Sequence, residues 1–253
     1  MKKLLLLLLI VNLGFGQSSI TQKDIEIYTQ LTLLKVNEKD DANFQKHLKT
    51  IADKAKEFKI DYEYDWLTYQ TENDEYLIVN FSDDLKSILT LYDYQKVFIN
   101  ANYGQLFDNA MRKLSMLDIN VKFNYVKEMI LPWSTVAEMS VSEFPYAEMI
   151  EYEFSSQSLD KIDIVLRKLS KLLLESDYPF PLETSRGSLG AYGKITLVWF
   201  YPDTSNFDGM NTPKDWMKNK DKLKEYNLIL NEIESLINSR KTFKLSYQKK
   251  LSN

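Results

Sequence analysis

The sequence contains no cysteine and only one histidine, His47. The lack of cysteine excludes disulfide bonds, thiolate nucleophiles and cysteine-ligated zinc. One imidazole cannot build a multi-histidine metal site. A Ser-His-Asp mechanism would have to run through His47, and no Gly-x-Ser-x-Gly motif is present to supply its serine. We therefore expect no metal site and no cofactor, and a structural role for His47 beside the apolar face of a helix.

Arginine is scarce, with four residues, and acidic residues outnumber basic ones to give a net charge of −4. A nucleic-acid-binding surface normally shows a basic stripe, so nucleic acid is not an expected partner. Glycine (7 residues) and proline (6 residues) are few, whereas hydrophobic residues reach 44% and aromatic residues 13%. These proportions argue against a disordered chain and predict a packed core.

Long hydrophobic runs are absent except at the start of the chain. Lys2-Lys3 precedes the apolar run Leu4–Val11, which is followed by Gly14–Gly16. A basic, then apolar, then small-residue order is typical of a secretory signal peptide, here residues 1–16 with cleavage near Gly16. The apolar run is too short to span a membrane, which takes about 20 apolar residues.

These features predict export to the periplasm or the extracellular space, with no integral membrane segment left after cleavage. The remaining residues 17–253 are long enough to bury a sizeable core. We expect them to form a single α+β domain, with a subdivision near residue 132 as the alternative, because Pro132 lies between two predicted elements.

Hydrophobic spacing of three and four predicts helices, and alternation predicts strands. The predicted helices cover 18–36 (a segment that suits a strand equally well), 40–58, 107–117, 158–173 and 212–239. The predicted strands cover 62–66, 76–81, 88–92, 97–101, 119–125, 146–154, 195–201 and 243–247. Residues 177–193 are predicted to be a loop, because they contain five prolines and glycines.

Strands cluster early and helices late, without a regular strand–helix alternation. This order predicts an α+β fold with a largely antiparallel sheet, packed by amphipathic helices and ending in a long C-terminal helix. The first four strands are joined by short connections, which favours a meander. The sequence shows no convincing internal repeat.

The candidate binding residues are aromatic and glycine-rich. Tyr62, Tyr64 and Trp66 lie on one face of a predicted strand, and Gly187, Gly190 and Gly193 mark a predicted surface loop. Tyrosine and tryptophan are common in ligand-binding surfaces. We expect any ligand to contact these six residues.

The remaining candidate catalytic residues are carboxylates. Asp61, Glu63 and Asp65 occupy the opposite face of the strand that carries the tyrosines, and Glu151 and Glu153 lie on a later strand. Glycoside hydrolysis needs two carboxylates across a cleft lined by aromatic residues. A solvated acidic strand face explains the same alternation without a catalytic role.

Three functional hypotheses follow. The leading one is an exported, non-catalytic protein that binds a ligand or a partner in the cell envelope, such as an envelope protein or a cell-wall glycan. The first alternative is a carboxylate-dependent hydrolase that acts on glycan or cell wall. The second alternative is a carrier that holds an apolar ligand between a curved sheet and the C-terminal helix.

Overall fold

The computed structural model describes residues 27–57, 66–82, 84–89, 99, 103–135, 143–205 and 212–252. The predicted signal peptide, Tyr62, Tyr64 and the acidic residues between 61 and 65 lie outside these ranges, as do most of the strands predicted over 62–66 and 97–101. Ile99, the one described residue of the latter, is helical and not extended. The chain divides into two compact units, residues 1–128 with 247–253 (unit 1) and residues 129–246 (unit 2). Whether these units fold as one domain or two stays a prediction.

Unit 1 has the order β-α-β-β-α-β, with one additional short helix. Its elements are β1 (Tyr28–Val36), α1 (Glu38–Glu57), β2 (Trp66–Thr71), β3 (Tyr76–Ser82), α2 (Leu85–Leu89), α3 (Gly104–Ser115) and β4 (Ile119–Met129). β1 pairs with β3 and β4, and β3 also pairs with β2, all antiparallel. The resulting order β4-β1-β3-β2 is the ferredoxin-like arrangement and not the predicted meander.

β1 corrects the prediction of a helix over residues 18–36. Five of its nine residues are buried, including the neighbouring pair Leu33 and Leu34. In a strand that is covered on both faces, apolar residues no longer alternate regularly with polar ones. Such a pattern fits the period of a helix as well as that of a strand. The strand predicted over 88–92 is also wrong where it is described, because α2 covers its first two residues.

α1 confirms the helix predicted over 40–58. Asn37 precedes it, and its side-chain oxygen accepts a hydrogen bond from the Lys39 N–H at 3.2 Å. Acidic residues fill the first turn and lysines the last, as the helix dipole favours. Its buried residues, Phe44, Leu48, Ile51, Ala52 and Ala55, pack into the core of unit 1.

Unit 2 repeats the order of unit 1. Its elements are β5 (Tyr146–Phe154), α4 (Leu159–Glu175), β6 (Leu182–Gly187), β7 (Lys194–Tyr201), α5 (Pro213–Asn219), α6 (Leu223–Leu236) and β8 (Ile237–Tyr247). β5 pairs with β7 and β8, and β7 also pairs with β6, all antiparallel. The order β6-β7-β5-β8 is that of unit 1 read from the other edge. The structure therefore contains the internal repeat that the sequence does not reveal.

The predicted α+β class with an antiparallel sheet and amphipathic helices is confirmed by this architecture. β7 lies between β5 and β6, as its two apolar faces predict. The helix predicted over 212–239 is instead two helices separated at Asp221, whose φ of 55° interrupts the helical backbone. The first of them begins at a capping box, in which the side chains of Thr212 and Asp215 accept hydrogen bonds from each other's backbone N–H.

The core of unit 2 lies between its sheet and α4 to α6. Alternate residues of β7, Ile195, Leu197, Trp199 and Tyr201, face this core together with the buried face of α4. No helix in the described ranges is both long enough and apolar enough to span a membrane.

Candidate functional site

One acidic side chain enters the layer between the sheet and the helices of unit 2. Glu148 lies on β5, paired in register with Trp199 of β7 and Lys244 of β8. It shares its strand face with Ile150 and Tyr152, because side chains alternate along a strand. The carboxyl group is partly buried, and this burial raises its pKa above the ordinary 4.5 against the opposing effects of Arg240 and Lys244.

Four tyrosine side chains interact electrostatically with Glu148. Tyr152, Tyr178, Tyr201 and Tyr226 come from β5, the segment after α4, the end of β7 and α6. Burial raises the pKa of every one of these phenols, and the charge of Glu148 raises each of them further. The carboxylate is therefore within electrostatic range of all four hydroxyl groups, which stay protonated at neutral pH.

The Tyr178 hydroxyl differs from ordinary buried phenols. Its oxygen is inaccessible to solvent and forms no hydrogen bond of normal geometry with a described residue, although the Tyr201 hydroxyl is close enough to interact with it and raise its pKa. Such a group costs about 1–3 kcal/mol when it is left unsatisfied. An unsatisfied donor in an otherwise packed layer is a feature that functional sites retain.

Aromatic rings hold this cluster in place. The Tyr178 ring meets Trp199, Phe180 and Trp216 edge to face, with centroid distances of 5.8, 5.5 and 6.3 Å. Phe180 in turn meets Tyr201 at 5.7 Å. The indole N–H of Trp216 donates to the Ser176 carbonyl at 2.7 Å, which fixes the ring at the end of α4. These contacts leave the tyrosines little rotational freedom.

The far end of the cluster carries a cation. The Arg240 guanidinium lies 5.9 Å from the centre of the Tyr152 ring, its register partner across β5 and β8. It lowers the pKa of Glu148 and of Tyr226, although burial outweighs it in both. Glu148, Tyr178 and Phe180 are only partly buried.

We call Glu148 and these four tyrosines the Tyr–Glu cluster. A carboxyl with a raised pKa can accept a proton at neutral pH and hold it more tightly than an exposed glutamate. Neutral phenols can donate hydrogen bonds to an oxygen on which negative charge develops. The arrangement can therefore remove a proton from a carbon or oxygen acid and stabilise the anion that forms.

Sequence reasoning did not find this cluster. In the sequence, each tyrosine looks like a core residue. Residues 148 and 226 are far apart along the chain, and only the fold brings them together. Glu148 itself reads as one of several acids on β5. The usable signal was its place on the apolar face of that strand, two residues before Ile150 and four before Tyr152.

The acids proposed from the sequence occupy the other face of β5. Glu151 is buried, and its carboxylate lies 3.9 Å from the Lys194 ammonium, which is also 3.8 Å from Glu153. This cation bridges the two carboxylates of that face. The charges of Glu151 and Glu153 are therefore compensated by Lys194. The other acids proposed from the sequence, Asp61, Glu63 and Asp65, lie outside the described residues.

The predicted binding residues fall in both units. Trp66 is 5% exposed in the core of unit 1, and its indole N–H donates to the Leu251 carbonyl at 2.8 Å. Gly187, Gly190 and Gly193 belong to the β6–β7 hairpin of unit 2, where β6 begins inside the predicted loop. The ligand-binding role of these residues stays a prediction.

Backbone geometry explains two of the hairpin glycines. A Cβ at Gly187 would lie 1.9 Å from the Ala191 carbonyl oxygen, and Gly193 has a φ of 77°. Neither position accepts a larger residue without a change in the turn.

His47 lies on α1, half-buried, and lines a cleft of about 440 Å³ between α1 and α3. Burial lowers its pKa, and the nearby Lys113 and Lys46 lower it further. The imidazole is therefore neutral at physiological pH. Within the described ranges, no three His, Cys, Asp or Glu side chains converge as a metal site would require.

No protein-family model matches this sequence, and no curated protein matches it. Solved structures do resemble the fold. One is provisionally assigned as a monooxygenase, from Fusobacterium nucleatum, with 10% identity, coverage of 89% of this chain and 93% of the other, and a TM-score of 0.62. Another is an anthrone oxidase-like protein, with 8% identity, coverage of 89% and 92%, and a TM-score of 0.53.

A third similar structure is a heme-binding protein from Thermus thermophilus, with 10% identity, coverage of 89% and 92%, and a TM-score of 0.52. At these low identities, the TM-scores show a shared fold and nothing further. The neighbours are named as oxidising enzymes and a heme-binding protein, and this overturns the hypothesis of a non-catalytic binding protein together with its hydrolase and carrier alternatives. The fold of this chain is thus the ferredoxin-like fold that these proteins share.

Proposed function

We propose that this chain is an enzyme that removes a proton from a flat aromatic substrate and lets the resulting anion react with O₂. The observation that carries the proposal is the Tyr–Glu cluster, in which one carboxyl with a raised pKa lies among four protonated phenols. Perturbed titratable groups gathered in one place are typical of catalytic sites. The names of two similar structures, a monooxygenase and an anthrone oxidase-like protein, support the oxidative half of the proposal.

Glu148 is the proton acceptor in this scheme. A CH₂ group beside an aromatic ketone loses a proton to the carboxylate, and the charge moves to the ketone oxygen. Tyrosine hydroxyls donate hydrogen bonds to that oxygen, and Tyr178, whose hydroxyl forms no hydrogen bond of normal geometry with a described residue, is the residue assigned to this role. The partly exposed ring of Phe180 suits a flat substrate.

O₂ is the oxidant. The carbanion gives its electrons to O₂, a C–O bond forms, and loss of the second hydrogen with cleavage of the O–O bond converts the CH₂ into a carbonyl. One oxygen atom enters the product and the other leaves as water. The two hydrogens of the CH₂ become those of the water, so atoms and electrons balance.

Heme, which one neighbour is named as binding, is a poor fit to unit 2. Heme iron takes histidine, cysteine, methionine or tyrosine as its axial ligand. The chain has no cysteine, and its single histidine is in unit 1. Of the methionines described in unit 2, Met149 and Met217 are buried in packed layers and Met129 is the partly buried last residue of β4. The tyrosines of the cluster hold their protons. We therefore assign no step to heme.

The test is O₂ consumption with anthrone, followed by mass spectrometry of the product formed under ¹⁸O₂. We expect uptake above the uncatalysed rate and one ¹⁸O atom in the new carbonyl. Glu148→Gln removes the proton acceptor and should lower kcat about 100-fold or more. The wild-type rate should rise with pH through the raised pKa of Glu148, because only the carboxylate accepts a proton.

Glu153→Gln is the matched control, because Glu153 lies on the same strand but faces the other way, beside Lys194 and Ser239. It should retain kcat within about twofold. Full activity in Glu148→Gln, or oxidation that occurs only after heme is added, would contradict the proposal.

A further inference from the structure

Unit 1 contains a cleft that the Tyr–Glu cluster does not use. It has a volume of about 440 Å³, within the range of small-molecule sites, and lies between α1 and α3. α1 contributes Lys46, His47 and Thr50 to its wall. The segment that leads into α3, and α3 itself, contribute the rest: Tyr103, Gln105, Leu106, Asn109, Ala110 and Lys113.

The charge of this cleft is positive. Lys46 and Lys113 line it, and none of the lining residues is a carboxylate. Neither lysine forms an ion pair with any described residue. On the same helix, Lys49 pairs with Asp53 and Lys54 pairs with Glu57. Two uncompensated cations in one concavity of a protein with net charge −4 are the signature of an anion site.

His47 adds a third polar group to the same wall. Its imidazole forms no hydrogen bond with a described residue, so both ring nitrogens are available to a ligand. The neutral ring can donate one hydrogen bond, and protonation would add a third positive charge.

The wall between the two lysines is apolar. Leu106, the buried Ala110 and the Tyr103 ring lie on the α3 side. The Lys54 ammonium lies 5.7 Å from the centre of the Tyr103 ring and so helps to hold that ring in place. A purely inorganic anion would leave this surface without a partner.

We propose that the cleft between α1 and α3 binds an organic anion, a carboxylate with a compact aromatic or alicyclic body. The carboxylate lies between Lys46, His47 and Lys113, and the body covers Leu106 and Tyr103. The inference concerns unit 1 and does not depend on the function proposed for unit 2. Loss of activity in Glu148→Gln therefore leaves it unaffected.

The probe is 2-naphthoate, with neutral 2-naphthamide as its matched ligand. His47 is the only histidine of the chain, so its imidazole proton gives a single, assigned NMR signal. We expect naphthoate to shift this signal in a saturable way and to raise the pKa of His47, since a nearby anion stabilises the imidazolium. Naphthamide should bind at least about tenfold more weakly.

Lys46→Gln with Lys113→Gln should weaken naphthoate binding about tenfold or more in calorimetry. Lys49→Gln, which removes a lysine that is already paired, should leave the affinity within about twofold. Equal binding of naphthamide, or equal binding by the double variant, would overturn the proposal. So would binding of ferric heme, but not naphthoate, with a change in the heme spectrum that His47→Gln abolishes.

Discussion

The two units share one topology, but they differ in the hydrogen bonding of a buried tyrosine hydroxyl. In unit 1, the Tyr76 hydroxyl donates to the Asp41 carboxylate at 2.6 Å and accepts from the Gln45 amide at 2.9 Å. In unit 2, the Tyr178 hydroxyl forms no hydrogen bond of normal geometry with a described residue, and it interacts only weakly with the Tyr201 hydroxyl and with the charge of Glu148. The first arrangement is complete and stabilises the fold. The second is incomplete, and an incomplete donor beside a perturbed carboxyl is available for chemistry.

The position of charge differs in the same way. The ion pairs of α1 in unit 1 are on the solvent side of the helix, where they contribute little. Glu148 in unit 2 lies between sheet and helices, where burial raises its pKa by more than Arg240 and Lys244 lower it. A fold that is repeated in one chain thus keeps the α1 ion pairs at the surface of one copy and places a carboxyl between sheet and helices in the other.

The largest expected effect is on the apolar layer of unit 1. Trp66→Ala removes a buried indole and the hydrogen bond to Leu251, and should lower the free energy of unfolding by about 3–5 kcal/mol. Urea unfolding gives the free energy, and hydrogen exchange shows whether the loss is confined to unit 1. Leu228→Ala, at an exposed position of α6, should change stability by less than about 0.5 kcal/mol.

A loss confined to unit 1 would show that the two units unfold separately. A small change in stability together with lost ligand binding would instead favour a binding role for Trp66.

An intermediate effect separates the two tyrosines directly. Tyr76→Phe removes a hydroxyl that bonds to a carboxylate and should cost about 1–2 kcal/mol. Tyr178→Phe removes a hydroxyl that forms no hydrogen bond of normal geometry with a described residue, and should leave the free energy of unfolding unchanged or raise it by up to about 1 kcal/mol. Thermal unfolding of the pair measures both. If Tyr178→Phe is the more destabilising variant, the contrast between the units is wrong.

The smallest expected effect depends on pH. The folded-state pKa of Glu148 is raised, so the native protein is destabilised as pH rises from the unfolded value of about 4.5 through the folded pKa. Glu148→Gln removes this titration, and its stability relative to wild type should therefore increase over that window and level off above it. Urea unfolding at a series of pH values measures the difference. A difference that is flat with pH would mean that burial does not perturb this carboxyl.

Sequence reasoning predicted the elements with clear periodicity. The patterns correctly place α1, α3, β4, β5 and β7. Most of these elements have one covered face and one face that meets solvent or polar groups. β7 is covered on both faces but is short and apolar throughout. Sequence reasoning failed where tertiary structure overrides local pattern. β1 is covered on both faces, and the apolar stripe over 212–239 continues across the turn at Asp221 that splits it into two helices.

The repeat and the candidate site were hidden for a related reason. Units 1 and 2 share strand order, and strand order is set by long-range pairing that leaves no periodic mark in the sequence. The five members of the Tyr–Glu cluster come from four separate segments, and the pairing of β5 with β7 is what brings Glu148 and Tyr201 into one layer. A glutamate on the apolar face of a strand was the only local sign.

The central claim is that Glu148 is the proton acceptor of unit 2, and ¹³C NMR of its side-chain carboxyl tests this most directly. Glu148→Gln assigns the resonance. We predict a titration above 4.5 whose midpoint coincides with the rise of the oxidation rate with pH. A titration at or below 4.5, or one unrelated to the rate, would contradict it.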